Sequence, residues 1–167
     1  MKALWAPWRM EFIRQEKREG KCVFCDALES RKPDREKLVL HVGRLGAVLM
    51  NKYPYGHGHL LVMPLRHVSD LTDLSAEENA ELSSLMQGCL RTLREAFNPE
   101  GFNLGLNLGR AAGAGIEEHL HWHVVPRWFG DVNFMALLAE VRSIPQHIAA
   151  TYDELRPLFQ KHLEGCG

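Results

Sequence analysis

The sequence has no excess of either charge, no long hydrophobic run and few cysteines. Its 20 Lys and Arg residues nearly balance 21 Asp and Glu, for a net charge of −1 with neutral histidines. This excludes the broad positive field of duplex-binding proteins. No apolar stretch approaches the ~20 residues that span a bilayer, and the N-terminus lacks signal-peptide features. We therefore expect a cytoplasmic protein with neither nucleic acid nor membrane as a partner.

Length and composition are those of one globular domain. The chain has 167 residues, of which 46% are hydrophobic and 25% charged, enough for a sizeable core. No internal repeat or long linker divides it, so a single domain spanning residues 1–167 is expected. Residues 1–20, which are aromatic and basic, are predicted to form an N-terminal arm.

Short apolar runs alternate with two helical patterns. A long helix is predicted from Ser75, which starts a capping box with Glu78, to the Asn98-Pro99 stop. A C-terminal helix is predicted from Thr151, where a second capping box stands. Strands are predicted at 38–42, 47–51, 59–64, 102–108 and 119–126. This order predicts an α+β fold with a mainly antiparallel sheet, a long helix and a C-terminal helix.

Three histidines alternate along the last predicted strand. His119, His121 and His123 should share one face, because residues two apart in a strand point the same way. One interpretation is a surface strand that carries histidines without a function, and another is a pure metal site. The third is nucleophilic catalysis at phosphorus, in which an imidazole forms a covalent nucleotidyl-histidine and its neighbours stabilise charge on the phosphoryl oxygens.

The four cysteines are predicted to lie in three different environments. Cys22 and Cys25 form a Cys-x-x-Cys pair, the spacing of two zinc ligands, although a reduced surface pair is the alternative. A thioredoxin-like redox role is disfavoured, because the expected βαβ context is absent. Cys89 falls on the apolar stripe of the long helix and is expected in the core, whereas Cys166 is expected to be free.

The run His-Leu-His-Trp-His-Val-Val at 119–125 resembles the His-φ-His-φ-His-φ-φ signature of the histidine triad (HIT) superfamily, where φ is apolar. Asn51, the segment 58–67 and the segment 107–109 also look like family positions. The resemblance thus covers roughly residues 20–127. It implies a HIT-like fold and a homodimer.

The resemblance implies separate roles for the three histidines of the triad, which together form the catalytic group. His121 is implied as the nucleophile and His123 as a contact of the phosphate oxygens, while His119 also belongs to a second site. In zinc-bearing relatives, histidines at the positions of His67 and His119 complete a structural zinc site with two cysteines. Substrate contacts are implied for residues at strand ends and in a glycine-rich loop: Asn51 to the ribose, Val48 and Leu49 to the base, and Asn107, Gly113, Ala114 and Gly115 to phosphate.

Departures from the general HIT sequence pattern indicate which branch of the superfamily this sequence resembles. The third triad position is histidine, which argues against the galactose-1-phosphate uridylyltransferase branch. The loop before the triad has one extra residue and lacks the glutamine and hydroxyl of many hydrolytic members. The segments 118–128, 130–134 and 5–10 instead look like the bacterial diadenosine tetraphosphate phosphorylase group. In that group Arg127 and Trp128 are candidates for the far end of the substrate.

The implied activity is nucleotidyl transfer or hydrolysis on dinucleoside polyphosphates, by a HIT-type phosphorylase or hydrolase. Phosphate is a candidate co-substrate, because the sequence does not decide between phosphate and water as the acceptor. Two alternatives stay open. One is a nucleoside phosphoramidate or nucleoside monophosphate-ester hydrolase, and the other is a nucleotide-binding module without turnover.

Overall fold

The computed structural model describes residues 22–131 and 146–164. The predicted N-terminal arm, the residues 132–134 and Cys166 lie outside these ranges. The described part contains three α-helices and five strands that we label in chain order, with short 3₁₀ turns at Leu71–Asp73 and Arg110–Ala112 and a final π-helical turn at Gln160–Glu164. The elements are α1 Val23–Ala27, β1 Val39–Val42, β2 Gly46–Met50, β3 Leu60–Pro64, α2 Ala76–Phe97, β4 Gly101–Leu106, β5 Trp122–Arg127 and α3 Ile148–Phe159.

The five strands form one sheet in the order β1-β2-β3-β5-β4, and every pairing is antiparallel. Strands β1 to β3 follow each other along the chain, while β5 inserts between β3 and β4. The α+β prediction with a mainly antiparallel sheet is therefore confirmed. The central position of β5 matters for the site, because this strand carries the end of the histidine run.

Both faces of the sheet are covered, which explains why β2 and β3 read as continuous apolar runs. Leu60 and Val62 of β3 pack toward α2 and α3 in the larger core cluster. The alternate residues Leu61 and Met63 pack on the opposite face, in a second cluster that includes Phe24 of α1. The sheet thus has a face covered by α2 and α3 and a face that carries α1.

The long helix α2 begins and ends as the sequence predicts. The Ser75 hydroxyl accepts a hydrogen bond from the Glu78 N–H, and the Glu78 carboxylate accepts one from the Ser75 N–H. Asn98 ends the helix in the left-handed conformation, with φ of 45°. Within the described ranges, no helix combines the length and apolar character needed to cross a membrane.

Close packing of α2 on the sheet requires glycine at the start of β2. A Cβ built on Gly46 would lie 2.8 Å from methyl carbons of both Leu82 and Leu85. These two leucines are almost fully buried. A side chain at Gly46 would therefore push the helix away from the sheet.

Most predicted boundaries agree within one or two residues, but two are wrong by a larger margin. The C-terminal helix begins at Ile148 with His147 as its N-cap, not at Thr151, whose hydroxyl bonds inside the first turn. Strand β5 begins at Trp122, not at His119, because the backbone at Leu120 bonds to the Val68 carbonyl beyond β3. Tertiary hydrogen bonding of this kind leaves no signal in the local sequence.

Glu78 supports a testable prediction about acid stability. Its carboxylate receives two hydrogen bonds from Arg66 and one from the Ser75 N–H, which lower its pKa from 4.5 to about 2. Because the folded state holds the lower pKa, this contribution is present above pH 4.5 and is lost as the pH falls toward 2. Glu78→Gln should lower the free energy of unfolding at pH 7 by about 1–3 kcal/mol.

Urea unfolding of both proteins at pH 7 and at acidic pH provides the measurement. The difference between wild type and variant should shrink at the acidic pH. Glu77→Gln is the matched control, since Glu77 occupies the same first turn with a side chain that is 73% exposed. A pH-independent difference at Glu78, or an equal effect at Glu77, would contradict this account.

Candidate active site

The sheet places His123 on the face that carries α1. His123 pairs with Leu61 of β3 and Gly105 of β4, and Leu61 belongs to the cluster around Phe24. His119 and His121 precede β5, so the regular three-residue strand face expected from the sequence is not formed. The rings of His121 and His123 nevertheless lie 5.0 Å apart, on the same side of the sheet.

His119 belongs to a cluster of four metal-ligating side chains. Its Nδ1 lies 3.5 Å from Cys22 Sγ and 3.6 Å from Cys25 Sγ, and His67 Nδ1 lies 3.3 Å from Cys25 Sγ. One ligand atom from each of these residues falls within 4.8 Å of all the others. The structure thus brings together all four residues predicted as metal ligands, and the cluster can hold a metal ion.

The surroundings of the cluster favour a cation. His119 is fully buried, and its Nε2–H donates to the Pro64 carbonyl at 2.9 Å, which leaves the Nδ1 lone pair directed at the thiols. Burial and the neighbouring Cys22 raise the pKa of the Cys25 thiol to about 11. A Cys25 thiolate at neutral pH would therefore need a positive charge beside it.

His121 is held with one defined nitrogen available for chemistry. Its Nδ1 lies 2.8 Å from the His119 carbonyl, and since a carbonyl only accepts, Nδ1 must carry the proton. Nε2 then keeps its lone pair. Burial lowers the pKa of His121, and the ring packs 5.0 Å from the Phe24 ring. The result is a neutral imidazole that can act as a nucleophile through Nε2.

His123 is held in the opposite tautomer by a fourth histidine. The backbone N–H of Tyr55 donates to His59 Nδ1 at 3.0 Å, so the proton of neutral His59 is on Nε2. That Nε2 lies 3.0 Å from His123 Nδ1 and donates to it. His123 in its neutral form therefore carries its proton on Nε2, as a group that donates to phosphate oxygens must.

His59 is the residue whose part in the site the sequence did not reveal. The sequence motifs assign His59 no part in the chemistry, but its buried ring determines which nitrogen of His123 is protonated. The signal was indirect. His59 and Leu61 are two residues apart and so face the same side of the sheet, and Leu61 pairs with His123. The pairing of β3 with β5 cannot be deduced from the sequence alone.

The predicted nucleotide contacts fall into two groups. Asn51 and Asn107 lie near the triad: the Asn51 amide is 3.3 Å from His59 Nδ1 and also accepts the Tyr53 N–H. Asn107 directly follows β4, whose last residue, Leu106, pairs with Trp122, the residue after His121. Leu49 is on the triad side of the sheet, but Val48 packs against the helices, so the expectation that Val48 walls the base is wrong.

The second group of predicted contacts lies in the loop before the triad and at the end of β5. Gly113, with φ of 88°, ends the turn Arg110–Ala112 and leads into Ala114 and Gly115 ahead of the triad. The Arg127 guanidinium is bonded to Asp131 and Asn103. The Trp128 ring lies 6.3 Å from His57, which packs on Phe97 of α2. These contacts do not bring Trp128 to the triad.

The geometry agrees with what sequence comparison finds. The model of the HIT domain family matches residues 33–130. The chain belongs to the HIT domain family. This segment contains β1 to β5, α2 and the complete triad, so the resemblance inferred from the histidine run is confirmed.

Relatives within the HIT family include named enzymes. The chain is 41% identical to the AP-4-A phosphorylase of Mycobacterium tuberculosis, over 90% of this chain and 80% of the relative. It is 31% identical to the bis(5'-adenosyl)-triphosphatase of Dictyostelium discoideum, over 77% of this chain and 89% of the relative. Among solved structures, a Zn-bound histidine triad family protein from Mycobacterium smegmatis matches with a TM-score of 0.68 and 28% identity, over 88% of this chain and 98% of that one.

The opposite tautomers of His121 and His123 can be measured. Long-range ¹H–¹⁵N correlation spectra of histidine-labelled protein, recorded where both rings are neutral, should show the proton of His121 on Nδ1 and that of His123 on Nε2. His59→Phe removes the donor to His123 Nδ1 and should release the His123 tautomer. His121 in that variant is the internal control and should not change. The same tautomer at both positions would contradict the hydrogen-bond assignment.

Proposed function

We propose that this protein cleaves dinucleoside polyphosphates by transferring a nucleotidyl group to His121. The observation that carries the proposal is the hydrogen bond from His121 Nδ1 to the His119 carbonyl. It leaves a neutral Nε2 beside a second imidazole, the arrangement that attack on a phosphoryl group needs. The names of the phosphorylase and triphosphatase relatives support the substrate class.

The chemistry takes place in two displacements. His121 Nε2 attacks the α-phosphorus, so that a P–N bond forms while the P–O bond to the leaving nucleoside polyphosphate breaks. An acceptor oxygen then attacks the same phosphorus, the P–N bond breaks, and its electron pair returns to Nε2. The Nε2–H of His123 donates to the phosphoryl oxygens, where negative charge develops. Asn107 and the backbone of Gly113, Ala114 and Gly115 are proposed to contact the same phosphate.

The same proposal assigns the outer parts of the substrate. Leu49 would contact the base and Asn51 the ribose, although the Asn51 side chain also bonds within its own turn. Arg127 would meet the far end of the polyphosphate by exchanging its bonds to Asp131 and Asn103. Trp128 would reach the substrate only by leaving its position near His57.

Phosphate is the proposed acceptor. The 41% identical relative is named a phosphorylase, and the first displacement is the same whether phosphate or water follows. With diadenosine tetraphosphate, phosphate as the acceptor gives ADP and ATP, whereas water gives AMP and ATP. Whether ADP or AMP is formed therefore shows directly which acceptor was used.

The cluster of four Cys and His side chains is proposed to bind zinc in a structural site. Tetrahedral zinc with Zn–S bonds of about 2.3 Å and Zn–N bonds of about 2.0 Å sets S···N separations of about 3.5 Å. The three measured separations, 3.3 to 3.6 Å, agree with that geometry. Cys22, Cys25, His67 and His119 would supply all four ligands, so the ion would stabilise the fold without an open position for substrate. A solved structural relative is described as Zn-bound.

Replacement of the nucleophile tests the mechanism. His121→Ala should lower turnover of diadenosine tetraphosphate by at least about 10³-fold, and labelled nucleotidyl-protein should be trapped with wild type but not with the variant. The control is His162→Ala, at a histidine that pairs with Glu95 of α2 and should keep full activity. Adding phosphate should change the product from AMP to ADP. Substantial turnover by His121→Ala would sink the assignment.

Metal analysis tests the cluster independently of activity. Protein purified without chelator should contain about one zinc ion per chain, and Cys25→Ser should lose it and unfold at a lower temperature. Cys89→Ala is the matched control, because Cys89 is buried among the core residues of α2 and should leave the metal content unchanged. Wild-type protein with no zinc, or a Cys25→Ser variant that retains it, would contradict the proposal.

A further inference from the structure

Tyr55 lies in the segment between β2 and β3, with its ring against the His123 ring. The centroids of the Tyr55 and His123 rings are 5.6 Å apart and their planes differ by 29°. The Tyr55 ring also lies 4.8 Å from the His59 ring. Because 39% of Tyr55 remains exposed, the ring is held by the site and is accessible from solvent at the same time.

The aromatic rings that contact His121 and His123 differ in their exposure to solvent. Phe24 lies 5.0 Å from His121 and is only 7% exposed. The His123 ring lies 5.0 Å from the His121 ring, and the Tyr55 ring lies 5.6 Å from the His123 ring. A polyphosphate extended from His121 past His123 would therefore meet an accessible aromatic ring.

We propose that Tyr55 is the stacking platform for the second nucleobase of a dinucleoside polyphosphate, the base of the leaving nucleotide. This inference rests on the proposed function and adds a specificity-determining residue to it. Aromatic side chains bind any base through its π-face, and such a contact changes affinity by roughly tenfold. Tyr55 would thus distinguish substrates that carry two bases from those that carry one.

The turn holds the ring in place before any substrate arrives. The Tyr55 N–H donates to His59 and the Tyr53 N–H donates to the Asn51 side chain. A fixed aromatic group loses little conformational freedom when it stacks on a ligand. Because the bond to His59 is made by the backbone, substitution of the Tyr55 side chain leaves that bond available and changes the ring alone.

Two ligands with the same number of phosphates separate the contribution of the second base. Kd is measured by calorimetry for diadenosine tetraphosphate and for adenosine 5′-tetraphosphate, with His121→Ala present in every protein to prevent turnover. Tyr55→Leu should weaken binding of the two-base ligand by roughly tenfold and leave the one-base ligand nearly unchanged. Tyr55→Trp should preserve the affinity for both.

Tyr53→Leu is the matched control in the same turn. Tyr53 is similarly exposed, at 45%, and its ring faces the Lys52 ammonium at 6.0 Å; its removal should change neither Kd. An equal loss of affinity for both ligands with Tyr55→Leu, or no loss for either, would contradict the proposal that Tyr55 stacks on the second base. Failure of the proposed function appears separately, as absence of diadenosine tetraphosphate turnover by the protein with His121 intact.

Discussion

The site depends on one histidine that is bonded in three directions. His119 directs Nδ1 to the cysteine thiols, donates from Nε2 to the Pro64 carbonyl and accepts at its own carbonyl from His121. The first contact anchors the segment around α1, the second fixes the ring to the end of β3, and the third sets the proton of His121, the proposed nucleophile. The proposed metal site and the orientation of His121 therefore share a single buried residue, which explains how they can lie side by side.

The proton positions of the His121 and His123 imidazoles are set by backbone groups of opposite character. A carbonyl can only accept, and it gives His121 its protonated Nδ1. A backbone N–H can only donate, and through His59 it gives His123 its protonated Nε2. The sheet thus presents a lone pair and a donor beside each other without the need for a nearby charged side chain. This division of roles suits attack at phosphorus, where one group forms a bond and the other stabilises charge.

Features determined by local patterns were predictable from the sequence. The capping box at Ser75 and Glu78 and the helix stop at Asn98 need only neighbouring residues, and the cysteine spacing with His67 and His119 followed from the family resemblance. Features set by tertiary bonds were not predictable. Strand β5 starts late because Leu120 bonds beyond β3. The role of His59 requires the β3–β5 register. The error at Val48 had another cause: adjacent residues of a strand face opposite sides, so Val48 and Leu49 cannot both face the triad.

The position of the cysteines along the chain has a consequence for how the protein is made. Cys22 and His119 are 97 residues apart in sequence, and β1, β2, β3, α2 and β4 all lie between them. Closing so long a loop carries an entropic cost that grows only slowly with length, and the pairing of β3 with β5 is what brings its ends together in the folded sheet. The complete set of four ligands would therefore exist only once the sheet has formed. Because the ion would bridge ends so far apart in the chain, it would act as a reversible cross-link that restricts opening of the sheet.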